Sequence, residues 1–215
     1  MSLVIRTLSE QIFNIVREQI VSGKLPVDQP IRQDALANEL GVSKIPLREA
    51  LARLEQEGLL VSQANRGFFV RAMSAEEAEE IFALRLSIEP EAVAAAARCA
   101  TDEERQAAQD ALAALDEVAA SGQRNEAAMR NRDFHTALVR PGGRLLTTQL
   151  VERLHILSER YVHKHLEPAG REHRAHTEHK LLLDAWLTGD AEKAKSLAGG
   201  HIGGTLNDLR KQLGR

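Results

Sequence analysis

Residues 41–60 read GVSKIPLREALARLEQEGLL, and the apolar residues of this segment recur every three or four positions. This spacing predicts an amphipathic helix over residues 44–57. A second, shorter helix is predicted over residues 33–40, and it ends at Gly41, where a glycine can take the left-handed conformation of a tight turn. Two short helices joined at a glycine are the helix-turn-helix pattern, so we expect the longer one to be a recognition helix for nucleic acid.

The sequence on either side of this pattern completes a winged domain. A first core helix is predicted over residues 9–20, where isoleucine and valine recur along one face. Residues 59–63 and 68–71 are predicted to form a β-hairpin around the tip Ala64-Asn65-Arg66-Gly67. A basic tip beside a recognition helix can reach an adjacent groove or phosphate, while the first turns of that helix meet base edges.

From residue 73 onward the composition changes to that of long helices, since residues 74–139 are rich in Ala, Leu, Glu and Arg. We therefore predict a mostly α-helical chain with two domains. These are a winged helix-turn-helix of three helices and a small β-hairpin over residues 1–72, and an all-α antiparallel helical bundle over residues 73–215. The helices expected in the second domain are about 75–98, about 102–120, one from near 125 to a break at 141–143, one ending at 168–170, then 171–187 and one from 190.

The bulk composition limits the class of protein. The net charge of −3 by itself lowers the odds of a nucleic-acid binder, but it is unevenly spread. Residues 1–71 hold nine basic against eight acidic residues, or about +1, which leaves 19 against 23, or −4, for the remainder. The single cysteine, Cys99, excludes a disulfide framework and any multi-cysteine zinc finger. The sequence has no apolar run of about 18 residues and no secretion-signal pattern, so we expect a cytoplasmic protein without a membrane segment.

Several motifs of the N-terminal part resemble the DNA-binding domain of the GntR family. They keep the family's order and spacing, and they are Gly23-Lys24-Leu25-Pro26, Leu36-Ala37, the segment 41–51, Leu54 and Glu57-Gly58-Leu59. The resemblance implies binding to double-stranded operator DNA through Ser43, Lys44, Arg48 and the wing glycine Gly67, and the basic wing tip adds Arg66. Lys44 stands where arginine is common and lacks the planar fork that pairs with guanine at two points. Asp34 stands where many relatives carry arginine, and its acidic side chain would repel phosphate.

All eight histidines lie after residue 134, which raises the hypothesis of a metal site in the second domain. Asn131 and His135 are four residues apart on one predicted helix and share a face. Asp133 precedes His135 by two residues and points about 200° away around the helix, so it is a poor partner. His179 and His201 lie on two later helices, and ligands from three helices can meet inside a bundle.

The order of these residues resembles the FadR-subfamily effector domain called FCD. The matching motifs are Asn131-Arg132-Asp133-Phe134-His135, Glu178-His179 and His201-Ile202. This resemblance implies a small organic acid as effector and a divalent metal ion (zinc, nickel or manganese) held by Asn131, His135, His179 and His201. The neutral amide of Asn131 attracts a cation less than a carboxylate does, so a regulator without a metal is an alternative hypothesis.

Arg85 is the candidate effector-binding residue. It lies among Ile81, Leu84 and Ile88 on the apolar side of the first helix of the second domain. A buried guanidinium requires a carboxylate partner, which is either a ligand or a side chain such as Glu89.

Two further features of the second domain keep more than one interpretation. His155 lies between Leu154 and Ile156, where it could line a pocket. The run GGHIGG at 199–204 places four glycines in a predicted helix, where each costs about 1 kcal/mol relative to alanine. Close approach of another backbone and a break in the helix both explain that run.

These patterns give one leading hypothesis and two alternatives. The first is a transcription regulator, with repression favoured and no enzyme activity, which binds a near-palindromic site as a homodimer and is gated by a small carboxylate. The second keeps the DNA function and lacks the metal. The third is a metal-dependent hydrolase, because three histidines around an open position can activate water, but no carboxylate has a spacing suited to a general base.

Overall fold

The computed structural model describes residues 7–27, 29–121, 124–163 and 172–214. The chain divides into two compact units between Ala72 and Met73. The predicted fold class is confirmed, because the first unit is a winged helix-turn-helix and the second is helical.

The N-terminal unit contains three helices followed by a β-hairpin. Its elements are α1 (Leu8–Val21), α2 (Gln33–Leu40), α3 (Lys44–Gln56), β1 (Leu60–Gln63) and β2 (Gly67–Val70). The hydroxyl of Thr7 accepts a hydrogen bond from the Glu10 N–H and so caps the start of α1. Leu47, Leu51 and Leu54 of α3 are fully buried, and they anchor this helix in the core that it shares with α1.

The turn between α2 and α3 depends on a left-handed glycine. Gly41 has φ 65°, and the Val42 N–H donates to the carbonyl of Ala37 at 3.0 Å, which closes the end of α2. The hairpin is antiparallel, and its register pairs Leu60 with Val70 and Gln63 with Gly67.

The C-terminal unit is built from long helices. Its elements are α4 (Ala75–Cys99), α5 (Asp102–Ser121), α6 (Arg124–Val139), α7 (Leu145–Tyr161), α8 (Glu172–Leu187) and α9 (Ala191–Leu213), with a 3₁₀ turn, Arg140–Gly142, between α6 and α7. That turn coincides with the predicted break at 141–143. The helix end predicted at 168–170 lies outside the described residues.

The glycine run of α9 does not break the helix. A Cβ atom added to Gly199 would lie 3.8 Å from Cγ of Pro90, and one added to Gly203 would lie 4.0 Å from Cδ2 of Leu86. Both neighbours belong to α4, so close packing of α9 against α4 is the explanation that agrees with the structure.

Aromatic residues fix α6 against α8. The Trp186 Nε1–H donates to the carbonyl of Leu138 at 3.0 Å, and Phe134 is fully buried with its ring centroid 5.1 Å from that of His179. Because His135 follows Phe134, this packing brings two histidine-bearing helices together at one level of the bundle.

Candidate metal centre and nucleic-acid interface

The first two turns of α3 present the predicted DNA-binding side chains to solvent. Ser43, Lys44 and Arg48 are all exposed, and so is Ile45, which the sequence analysis did not select. Lys44 and Arg48 are four residues apart and therefore lie on the same face of the helix. The buried leucines of α3 anchor the helix in the core and leave Lys44 and Arg48 exposed.

Ser43 occupies the N-cap position of α3, but its side chain makes no capping hydrogen bond. An N-cap oxygen normally accepts from the N–H of the second or third helical residue. The third residue here is Pro46, which has no N–H, so one of the two possible donors is missing. The Ser43 hydroxyl is consequently exposed and available to another acceptor or donor.

Lys44 forms an ion pair with Asp34 in the first turn of α2. Both side chains are largely exposed, at 61% for Lys44 and 74% for Asp34, so water screens the attraction. The pair places a carboxylate beside the recognition helix, where it lowers the local positive charge.

The wing tip is shaped by two residues with positive φ. Asn65 has φ 61° and Gly67 has φ 86°, and the second value is costly for any residue with a Cβ. The Arg66 guanidinium donates to Oε1 of Gln63 at 2.8 Å and lies 5.2 Å from the ring centroid of Phe69. These contacts hold the exposed Arg66 on one side of the hairpin.

Three of the four predicted metal ligands converge in the C-terminal unit. His135 on α6, His179 on α8 and His201 on α9 are all buried, and their candidate ligand atoms lie within 4.8 Å of one another. The fourth, Asn131, is half-buried one turn before His135 on α6, and it stays a predicted ligand.

The side-chain chemistry of this cluster fits a divalent cation. Nε2 of His135 is buried and has no hydrogen-bond partner among the described residues, which is costly unless a ligand occupies the position. Nε2 of His179 and Nε2 of His201 lie 3.4 Å apart, so two imidazole nitrogens face each other. Imidazole nitrogen is a preferred ligand of zinc and nickel.

Two carboxylates contact the Nδ1 atoms of His201 and His135. Oε2 of Glu178 lies 2.6 Å from Nδ1 of His201, and Oε1 of Glu89 lies 3.2 Å from Nδ1 of His135. Carboxylates in this position orient metal-binding histidines and leave Nε2 for the metal. Glu178 was not predicted to have a functional role. The one feature of the sequence that could have indicated such a role is that Glu178 directly precedes His179.

Burial favours the neutral form of the three histidines, which is the form that binds a metal. Burial lowers the pKa of His135 to about 4, and burial also lowers the pKa of His179 and of His201. Neutral imidazoles are therefore expected near pH 7 even without a metal.

Arg85 is buried in a polar network next to this cluster. Its Nε donates to Oε2 of Glu89 at 2.9 Å, its Nη1 donates to Oγ of Ser158 at 3.2 Å, and its Nη2 lies 3.1 Å from Nε2 of His155. Burial raises the pKa of Glu89, but Arg85, His155 and the hydrogen bond from His135 together hold that pKa well below its usual value. Glu89 is thus an ionised carboxylate that partners Arg85. This agrees with the interpretation in which Arg85 pairs with a side chain of the protein.

Comparison with known proteins agrees with this architecture. Residues 8–70 match the bacterial regulatory proteins of the gntR family, and residues 80–204 match the FCD domain. The HTH-type transcriptional regulator BphR of Paraburkholderia xenovorans is 31% identical over 96% of this chain and 87% of its own length. This chain belongs to the GntR family and carries an FCD domain. The family assigned by resemblance is confirmed.

A further relative and a solved structure are also similar to this chain. A probable D-xylose utilization operon transcriptional repressor of Paenarthrobacter nicotinovorans is 28% identical over 93% of this chain and 88% of its own length. The solved structure of McbR/YncC from E. coli has a TM-score of 0.78 and 24% identity, and the match covers 97% of this chain and 99% of that one, which shows a shared fold.

The comparisons also settle the class of activity. The similar proteins are transcription regulators rather than enzymes, so this GntR-family chain is a transcription regulator and the hydrolase alternative is set aside. Among the described helices, none combines the length and apolar character that a membrane crossing needs.

Proposed function

We propose that this regulator binds operator DNA as a homodimer in the cytoplasm and that a metal and a small organic acid bound in the second domain control its affinity for that DNA. In this proposal residues 1–72 bind DNA, and residues 73–215 bind the effector and dimerise. The observation that carries it is the convergence of three buried histidines beside an unpaired His135 Nε2.

DNA binding uses the exposed face of α3 together with the wing. Ser43, Lys44 and Arg48 enter the major groove, and Arg66 and Gly67 bring the wing to the adjacent backbone or groove. One such domain reads too few bases for a specific site, so two copies related by two-fold symmetry bind a near-palindromic operator.

The metal is held by His135, His179, His201 and the amide oxygen of Asn131. Zinc, nickel and manganese are the candidate ions, and the three imidazoles favour zinc or nickel. A bound cation supplies positive charge that attracts the carboxylate of an effector. Arg85 makes two contacts with Glu89, one with Ser158 and one with His155, which leaves one Nη1 hydrogen of its five, and in this proposal that hydrogen is donated to the effector.

Repression by operator occupancy is the regulatory outcome that we favour. The D-xylose relative is named as a repressor, and a bound dimer blocks access to the DNA that it covers. Effector binding then releases the DNA, because the effector favours one of two arrangements of the dimer.

The test begins with purified full-length protein. We expect elemental analysis to find about one divalent ion per chain and a chelator to lower the melting temperature, because a ligand of the native state stabilises it by mass action. DNA selected from a random-sequence duplex pool is expected to be near-palindromic. Arg48→Ala is expected to weaken its binding by about 1 to 3 kcal/mol.

Each part of the proposal has a separate point of failure. Sequence-specific DNA binding by a protein that contains no metal and does not respond to added zinc, nickel or manganese would contradict the metal site. The alternative hypothesis of a regulator without a metal would then remain. Unchanged DNA affinity in Arg48→Ala would contradict the assigned DNA-binding face. A thermal-shift screen of small carboxylates in the presence of each metal tests the effector, and no stabilisation by any of them contradicts it.

A further inference from the structure

Ile45 is the feature of the recognition helix that the roles assigned so far do not use. Its side chain is 72% exposed, the highest value among the large apolar side chains described in the N-terminal unit. The other aliphatic residues of α3 show the opposite behaviour, since Leu47, Leu51 and Leu54 are each 0% exposed. Ile45 therefore does not contribute to the core of its own domain.

The position of Ile45 places it inside the DNA-binding face. It is the second residue of α3, it follows Lys44 directly, and it precedes Arg48 by three residues. Residues three apart are neighbours on a helix surface, so the side chain of Ile45 lies next to that of Arg48. The N-terminal residues of a recognition helix contact base edges, and Ile45 belongs to that turn.

The local backbone presents this side chain in a restricted set of conformations. Pro46 fixes the backbone directly after Ile45, and Leu47 is buried without remaining exposure. A β-branched side chain in a helix has one strongly preferred χ1 rotamer. Ile45 thus loses little side-chain entropy when it is placed against DNA.

The chemistry of isoleucine limits what it can recognise. It has no hydrogen-bond donor or acceptor and no charge, so it binds neither phosphates nor the polar base edges. The apolar group that the major groove displays is the C5-methyl of thymine. Lys44, its neighbour, is paired with Asp34 and lacks the planar fork of arginine, which reduces the base selectivity available from that position.

We propose that Ile45 is a specificity-determining residue that contacts the C5-methyl group of one thymine in each operator half-site. The inference rests on the proposed DNA-binding function and specifies the base that Ile45 contacts and the group on that base. Discrimination at that position then comes from apolar contact rather than from hydrogen bonding.

The experiment uses full-length protein and a duplex selected from a random-sequence pool with the wild-type chain. Each thymine of that duplex is replaced singly by deoxyuridine, which removes the methyl group and keeps the base pair. We expect wild type to lose about four-fold in affinity at one thymine per half-site, the factor expected from removing one buried methyl group. We expect Ile45→Ala to bind thymine and deoxyuridine equally at that position.

Two control variants separate this effect from general loss of binding. Arg48→Ala is expected to weaken binding but to keep the full thymine-to-deoxyuridine ratio. Ile15→Ala changes an exposed isoleucine of α1, 42% exposed, and is expected to leave both the affinity and the ratio unchanged. Thermal melting of Ile45→Ala is expected to match wild type, since an exposed side chain contributes little to stability.

The outcomes distinguish the inference from the function on which it rests. A wild-type chain that selects no DNA sequence overturns the proposed function and this inference with it. Specific binding with no thymine sensitive to deoxyuridine, or with the full ratio retained in Ile45→Ala, overturns the inference alone.

Discussion

The carboxylate of Glu178 lies 2.6 Å from Nδ1 of His201, on the side of the imidazole away from Nε2 of His179. Two neighbouring helices therefore supply both a pair of candidate metal ligands, His179 and His201, and the carboxylate that fixes one of the two rings. A ring held in this way presents one defined nitrogen to a cation, so its orientation does not need to be adjusted on binding.

Glu178→Gln is expected to lower the affinity for zinc by about ten- to a hundred-fold, because an amide holds His201 less firmly and makes its imidazole less basic. Competition between the protein and a chromophoric zinc chelator measures the change. The matched control is Glu152→Gln, which removes a carboxylate that pairs with the exposed Arg140. Equal zinc affinity in Glu178→Gln and wild type would show that the contact does not orient a ligand.

The buried pair of Arg85 and Glu89 predicts an asymmetric cost of mutation. Arg85→Met leaves the Glu89 carboxylate buried without its guanidinium, and we expect the free energy of unfolding of the metal-free protein to fall by about 3 to 5 kcal/mol. The double variant with Glu89→Gln is expected to recover part of this loss, because the uncompensated charge is gone. Urea denaturation measures both.

The control for this pair is Arg98→Met, since Arg98 pairs with Glu192 at an exposed position. We expect no measurable loss from it, because exposed ion pairs contribute little. A loss in Arg85→Met no larger than in this control would mean that the buried network is not stabilising.

The histidine cluster predicts a pH dependence of stability in the metal-free protein. An unfolded histidine has a pKa of about 6.5, whereas the folded pKa of His135 is about 4. Between these values the unfolded state binds the proton and the folded state does not, so stability is complete above pH 6.5 and is lost as the pH falls toward 4. This residue alone accounts for about 3 kcal/mol of that loss.

The measurement compares unfolding free energies of wild type and His135→Phe from pH 7 to pH 4. The variant is expected to have a shallower dependence, because one titrating group has been removed. His173→Phe changes an exposed histidine of α8 and is the control for replacing a histidine by phenylalanine. Parallel curves for wild type and His135→Phe would contradict the assignment of the neutral state to burial.

Part of the site was accessible from the sequence because its motifs are local. The spacing of Asn131 and His135 places both on one face of α6, and the left-handed turn at Gly41 follows from the glycine itself. The neutral amide of Asn131 is read directly from the sequence. The two-residue offset of Asp133 and the exposure of Arg48 follow from helix periodicity.

Other parts depend on tertiary packing or on competing local effects. Glu89 reaches His135 and His155 only because α4, α6 and α7 pack together, and no local sequence pattern predicts that arrangement. Serine is a common capping residue, but Ser43 makes no side-chain capping hydrogen bond at the start of α3, where Pro46 lacks one of the N–H groups that a cap uses.

The ion pair between Asp34 and Lys44 predicts that removal of a single acidic residue strengthens DNA binding. In Asp34→Asn the Lys44 ammonium loses its ion pair and is free to contact a DNA phosphate. The repulsion between the Asp34 carboxylate and the DNA phosphates also disappears. We expect tighter binding to both selected and random DNA, with the slope of log K against log salt steeper by about 0.9, as one further phosphate contact requires. Fluorescence anisotropy at several salt concentrations measures both quantities.

Glu39→Gln removes an acidic residue from the same helix α2, where it pairs with Lys24, and is expected to leave the slope unchanged. If Asp34→Asn and Glu39→Gln give the same slope as wild type, Lys44 does not contact the phosphate backbone in the complex.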